Sequence, residues 1–186
     1  MLINDEIDGL LESTSRSFYP TLKYLPKKIR GQIGLLYLLA RVADTIADSK
    51  HGETQVLLQL LKSYNDVAQG RSSELPDFSE IAAIQSNESE AELLRNVQSV
   101  LDALKFYSTG DSKRMLECLD VIVGGQILDL ERFGPAKEGG SISSLNNDKE
   151  LDDYTYRVAG CVGVFLDGNV PRTPDVIVTR KRNGIF

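Results

Sequence analysis

Four residues in one segment have the types and the spacing to do chemistry. In KKIRGQIGLLYLLARVADTIADS, Tyr37, Arg41, Asp44 and Asp48 stand at i, i+4, i+7 and i+11. At about 100° per residue, that spacing gathers them on one narrow stripe of a helix. Asp44 and Asp48 are then two carboxylates one turn apart. Leu36, Leu38, Leu39, Val42, Ala43, Ile46 and Ala47 are apolar nearly all round them, which predicts a buried helix. Each ion on such a helix costs on the order of several kcal/mol unless something compensates it. A hard divalent cation does so well: Mg²⁺ takes carboxylate oxygens and keeps positions for water and phosphate oxygens. Arg41, one turn earlier, suits phosphate oxygens that the carboxylates repel. The plainer reading is an Arg–Asp ion pair on a helix less buried than its composition suggests, and spacing alone leaves both open.

The elements that must carry these residues read as helices between short polar breaks. Residues 3–15 place Ile3, Ile7, Leu10 and Leu11 at helical spacing. In SRSFYPTLKYLP, Pro20 and Pro26 exclude one continuous helix. Residues 27–47 are the strongest helical segment, and Gly52 in DSKHGE is a plausible terminator. Further helices are expected over 54–68, 91–107, 113–133 and 149–165, with loops at GRSSELPDFSE and GPAKEGGSISSLNN. Period-two alternation is nowhere sustained, so the expected class is all-α. LDGNVPRTPDVIVTRKRNGIF, residues 166–186, carries two prolines and no helical period, and reads as an irregular tail after a helical domain over 1–165.

Composition bounds the function. The chain has 186 residues, 41% hydrophobic and 26% charged, enough for one domain with a sizeable core. A net charge of −6 lacks the basic surface that neutralises phosphates, so a nucleic-acid partner is not expected. A lone histidine, His51, and two isolated cysteines, Cys118 and Cys161, exclude the usual soft-metal motifs, and both cysteines are expected as small buried hydrophobes. The first residues are acidic and amphipathic, unlike a signal peptide, and no apolar run reaches about 18 residues. A cytoplasmic protein is expected, touching a membrane if its substrate is a lipid.

SRSFYPTLKYLPKKIRGQIGLLYLLARVADTIADS resembles the first part of squalene and phytoene synthases, where a Ser-x-Ser-Phe segment precedes a long helix bearing Asp-x-x-x-Asp. The form ARVADTIAD is nearer the squalene-type members. Downstream, DYTYRVAGCVG resembles the family's Tyr-x-Tyr-x-Val-Ala-Gly-x-Val-Gly segment. The resemblance spans roughly residues 13–165 and implies an all-α isoprenoid synthase fold that condenses two prenyl diphosphates head to head, with farnesyl diphosphate as the expected substrate. It implies Asp44 and Asp48 as Mg²⁺ ligands, and Arg41, Ser15, Ser17 and Tyr154 as diphosphate contacts. It places Tyr37 at the ionisation site and Val158 and Gly163 along the prenyl channel, with NADPH required if squalene is the product. Each residue also has a plainer role. Ser15 and Ser17 could be turn or capping residues, Tyr154 and Tyr156 core aromatics, and Gly160 and Gly163 packing residues. Gln126, Asp129 and Arg132 read more readily as solvated or capping groups.

The resemblance also sets an expectation this sequence does not meet. The family's second acidic motif, Asn-x-x-x-Asp-x-x-x-Asp, is absent from the 186 residues. With one motif the metal cage is half built and ionisation is expected to fail. LDGNVP can be encoded so that removing one base reads Trp-Thr-Glu-Met-Cys, continuing VGVF as helix-compatible VGVFWTEMC, which suggests a frameshift near codon 166. The gene sequence decides this: no reopened frame carrying the second motif, no frameshift. The alternative to a prenyltransferase is a non-catalytic helical module that self-associates through exposed core.

Overall fold

The computed structural model describes residues 4–15, 17–49, 53–134 and 144–169. The chain runs through α1 (Asp5–Ser15), α2 (Phe18–Leu22), α3 (Lys27–Ala47), α4 (Thr54–Ala68), α5 (Ser79–Ala83), α6 (Glu88–Arg95) and α7 (Val97–Asp102). A 3₁₀ turn (Ala103–Phe106) leads into α8 (Thr109–Phe133), and α9 (Asp148–Thr155), a π-helical segment (Tyr156–Gly160) and α10 (Cys161–Asn169) follow. There is no strand among the described residues. None of their helices is long and apolar enough to cross a membrane.

Helix α3 is the axis of the fold. Pro26 starts it: a fixed φ suits the residue that leads into a helix, and its carbonyl accepts from the Ile29 and Arg30 amides at 3.0 and 3.1 Å. Arg30 folds back to donate to the Lys23 and Leu25 carbonyls, closing the turn from α2. Leu35, Leu38, Leu39, Val42, Ala43 and Ile46 have no solvent exposure. Each buried Leu or Ile contributes about 1.5–3 kcal/mol of transfer free energy, so α3 owes its stability to this packing more than to its unassisted ends. Only one face is less than fully covered: Ile33, Tyr37, Ala40, Arg41, Asp44 and Ala47 are half-buried.

The long helix α8 packs against α3, α4, the π segment and α10. Ser108 caps it by accepting from the Asp111 amide at 3.2 Å, and Gly134 ends it at φ 69°, a conformation glycine adopts without strain. Tyr64 of α4 donates its buried hydroxyl to the Leu39 carbonyl at 2.9 Å, and Asn65 donates to Asp120 at 2.7 Å, so α4 is bolted to both neighbours.

Three expected elements differ in detail. The helix expected over 91–107 is divided at Asn96, whose side chain donates to the Glu92 carbonyl at 2.8 Å, one turn back. Apolar spacing continues in phase across that break, so periodicity does not reveal it. Helix α8 begins at Thr109 rather than 113, because Ser108 supplies the cap. The segment expected over 149–165 contains the π turn, and its helix continues to Asn169, four residues into the stretch expected to be irregular. The rest of that stretch, Gly52, and the start of the first helix at Ile3 lie outside the described residues.

Candidate active site

The face of α3 left half-covered is the stripe that the spacing predicts. Tyr37 stacks on Phe18 of α2 with ring centroids 4.9 Å apart, and its hydroxyl donates to the Thr14 carbonyl of α1 at 3.4 Å. Ser15, buried at the end of α1, donates to the Leu11 carbonyl within its own helix. Ser17 is exposed at the start of α2 and makes no side-chain capping bond. The structure thus brings the Ser-x-Ser-Phe segment up to the Tyr37 end of the stripe.

One turn on, Arg41 forms an ion pair with Glu90 of α6, which also accepts from the Asn87 side-chain Nδ2 at 3.2 Å. The Arg41 Nε–H is buried and finds no protein acceptor. Glu90 and its contact with Arg41 were not legible in the sequence, since 49 positions separate the two and nothing in ESEAELLR marks one carboxylate out.

Asp44 and Asp48 lie at the C-terminal end of α3, Asp48 being the residue that caps it. That end carries the negative pole of the helix dipole, where cations are favoured and carboxylates are not, and the last turn has no basic residue. Burial raises the Asp44 carboxyl above its usual range; Asp48 adds to the rise, while Arg41 and the hydrogen bond from Gln126 oppose it. Asp48 is open at the surface, yet the protein mass beside it raises it too, with Glu90 adding to the rise and Arg41 opposing. Two carboxylates in this position break a local rule of helix design, as functional sites often do. A cation bound between them would relieve the burial, the mutual repulsion and the dipole together.

Gln126 corrects the sequence reading. It is neither solvated nor a cap; from α8 it donates its Nε2–H to Asp44 Oδ1 across 82 residues. Asp129, one turn further, has a buried Oδ1 without a protein donor, and burial raises its carboxyl. Arg132 is exposed, as expected of a solvated group.

The second group of predicted residues is attached to α8 from the other direction. Tyr154 is half-buried on α9, and Val158 and Gly163 are exposed on the π segment and α10. No hydrogen bond joins Tyr154 to the α3 stripe among the described residues. The link runs through α8, with Gln126 on Asp44 and, one residue before it, Gly125 against Arg157 of the π segment. Cys118 and Cys161 are both buried and unbonded covalently, as expected. Among the described residues, no three His, Cys, Asp or Glu side chains converge on one point.

Comparisons with known proteins place the chain in a family and a fold. The family model described as squalene/phytoene synthase matches residues 11–168. The chain belongs to the squalene/phytoene synthase family. The match covers the α3 stripe, Gln126 and the Tyr154–Gly163 segment alike. A curated relative, Botryococcus squalene synthase from Botryococcus braunii, is 33% identical over 58 residues, 31% of this chain and 12% of that protein. The solved complex of TcSQS with the ligand E5700 superposes with a TM-score of 0.65 at 20% identity, over 87% of this chain and 43% of that one. The chain therefore spans under half the length of both, and the structural likeness establishes the all-α isoprenoid synthase fold.

Proposed function

We propose that these residues form the first half-site of a Mg²⁺-dependent prenyltransferase that joins two prenyl diphosphates head to head. The observation that carries the reading is the Asp44–Asp48 pair, set against the dipole at the end of a buried helix with Arg41 one turn below. Asp44 and Asp48 would hold Mg²⁺. Bound there, the metal would neutralise the diphosphate and make it a better leaving group. Arg41 offers guanidinium N–H donors to diphosphate oxygens, its Nε–H being without a protein acceptor. Tyr37, fixed by Phe18 and Thr14, supplies a rigid wall beside the departing group. Ser15, Ser17 and Tyr154 are proposed diphosphate contacts, and Val158 and Gly163 proposed walls for the apolar chain. Prenyl chain length, and NADPH use where the product is squalene, belong to the same proposal.

Two carboxylates leave most of the coordination of a six-ligand cation to water and diphosphate. Within these 186 residues the expected behaviour is accordingly metal-dependent binding without turnover. Calorimetric titration of Mg²⁺ with a non-hydrolysable farnesyl diphosphate analogue tests it, on this chain and on Asp44→Ala/Asp48→Ala. Metal-dependent heat that the double variant abolishes supports the half-site. No binding by either overturns it and turns attention to Leu151, Tyr156, Val158 and Val164. Those four are exposed apolar residues around the π segment, and they fit the alternative of a helical interaction module.

A further inference from the structure

Gln126 does not belong to the acidic motif, yet it is the side chain from another helix that touches it. Its Nε2–H donates to Asp44 Oδ1, and its Oε1 is buried with no protein donor in reach. An amide oxygen left unpaired in the interior carries its full desolvation cost, whereas an apolar side chain of similar shape would pack there without it. Its neighbours on α8 are mostly apolar or glycine (Val123, Gly124, Gly125 and Ile127), with the half-buried carboxyl of Asp129 one turn on. An amide in that setting, aimed at one carboxylate oxygen, has more than packing to do.

We infer that Gln126 is a positioning residue for the proposed metal site, orienting Asp44 so that Oδ2 faces the cation and presenting Oε1 to its hydration shell. The inference rests on the half-site reading above. Chemistry supports the division of labour. A carboxylate with one oxygen already hydrogen-bonded has one oxygen and one orientation left for a metal. Magnesium keeps several waters, whose hydrogens need acceptors. Partners that orient metal ligands typically account for 10–100-fold in metal affinity. The same bond anchors α3 to α8, the helix on which the π segment and α10 pack, so ordering at the metal end and at the Tyr154–Gly163 end shares one element.

The test uses Mn²⁺ as the probe, because its free hexaaquo ion gives a paramagnetic resonance signal that vanishes on binding. The full chain, Gln126→Ala, Gln126→Leu and Asp44→Asn are titrated, and each is melted without metal. Gln126→Leu fills the volume that alanine leaves empty, so a cavity effect is separated from loss of the amide. The expected result is wild-type binding that both Gln126 variants weaken about 10-fold, that Asp44→Asn abolishes, and metal-free melting little changed in Gln126→Leu. Wild-type affinity in both Gln126 variants overturns the inference and leaves the half-site standing. Weakened melting with unchanged affinity also overturns it, assigning Gln126 a structural role. Absence of Mn²⁺ binding by the unmodified chain overturns the metal reading itself, and the inference with it.

Discussion

Burial raises the Asp44 carboxyl, and the protein beside the exposed Asp48 raises that one too, which makes their ionisation a burden on folding. In the pH window between the unfolded carboxyl pKa and the higher folded one, the native state binds more protons than the unfolded chain. Stability contributed by these groups therefore falls as pH rises through that window and is recovered as pH falls. The carboxylates of Asp77 and Glu150 act in the opposite sense, since hydrogen bonds from the Ser79 and Asn146 amides lower them. Asp44→Asn keeps the shape and an acceptor for Gln126 while removing the charge. It is expected to raise the melting temperature of the metal-free protein at pH 7 by roughly 2–4 °C, equivalent to about 1 kcal/mol, while abolishing metal binding. Calorimetric melts from pH 7 to pH 4 check the sign: the gap between variant and wild type should close as pH falls. A variant that melts below wild type at pH 7, with the deficit vanishing in acid, would show that the Asp44 charge stabilises the fold. At this scale the stripe itself was legible, because residues 37, 41, 44 and 48 obey one helical period within one segment. Gln126 and Glu90 were not, because their meaning comes from contacts made 82 and 49 positions away.

Among the elements, the one periodicity described least well is the segment that carries Tyr154 and Val158. The sequence reads as one helix over 149–165, yet the chain widens to a π turn at Tyr156–Gly160. Such turns insert a residue without changing composition, so apolar spacing cannot report them. The reason for the closeness lies on the facing helix. A Cβ added at Gly125 of α8 would stand 2.9 Å from the Arg157 Cβ, and one at Gly124 would meet only the guanidinium tip at 3.1 Å. These two glycines therefore predict opposite outcomes. Gly124→Ala gains about 0.5–1 kcal/mol of helix propensity, since a flexible tip can move aside. Gly125→Ala gains the same propensity but forces two fixed atoms apart, and overpacking of that kind costs about 1–3 kcal/mol. Chemical denaturation should show the first variant at or above wild-type stability and the second below it. Amide exchange over 156–160 should accelerate only in Gly125→Ala. Equal behaviour of the two alanines would mean that the π segment is not seated on α8 as described.

Whether the molecule behaves as one cooperative unit depends on how firmly α10 is joined to the helices before it. Cys118 on α8 and Cys161 at the start of α10 are buried side by side, and Cys161 donates to the Arg157 carbonyl at 3.3 Å. Burial, with the neighbouring Cys161 thiol, pushes Cys118 up to about 12. At pH 8 that leaves on the order of a thousandfold less thiolate than a free cysteine carries, and only thiolate reacts with alkylating reagents. Phe165 and Leu166 of α10 also belong to or pack against the main core, together with α1, α3, α4 and α8. The two sulfurs thus form a gauge between the body of the fold and its last described helix. The expected result is that neither thiol reacts with iodoacetamide in the native protein. Both should become reactive at the same urea concentration, coincident with loss of helical circular dichroism. Cys161 and Cys118 face each other, so α10 cannot lift away without uncovering both. Coincident midpoints would mean that the Tyr154–Gly163 segment folds with the α3 stripe and is ordered without any ligand. Reaction of both thiols well below the helical transition would mean that α10 opens on its own, with the wall of the proposed prenyl channel ordered only when something binds against it.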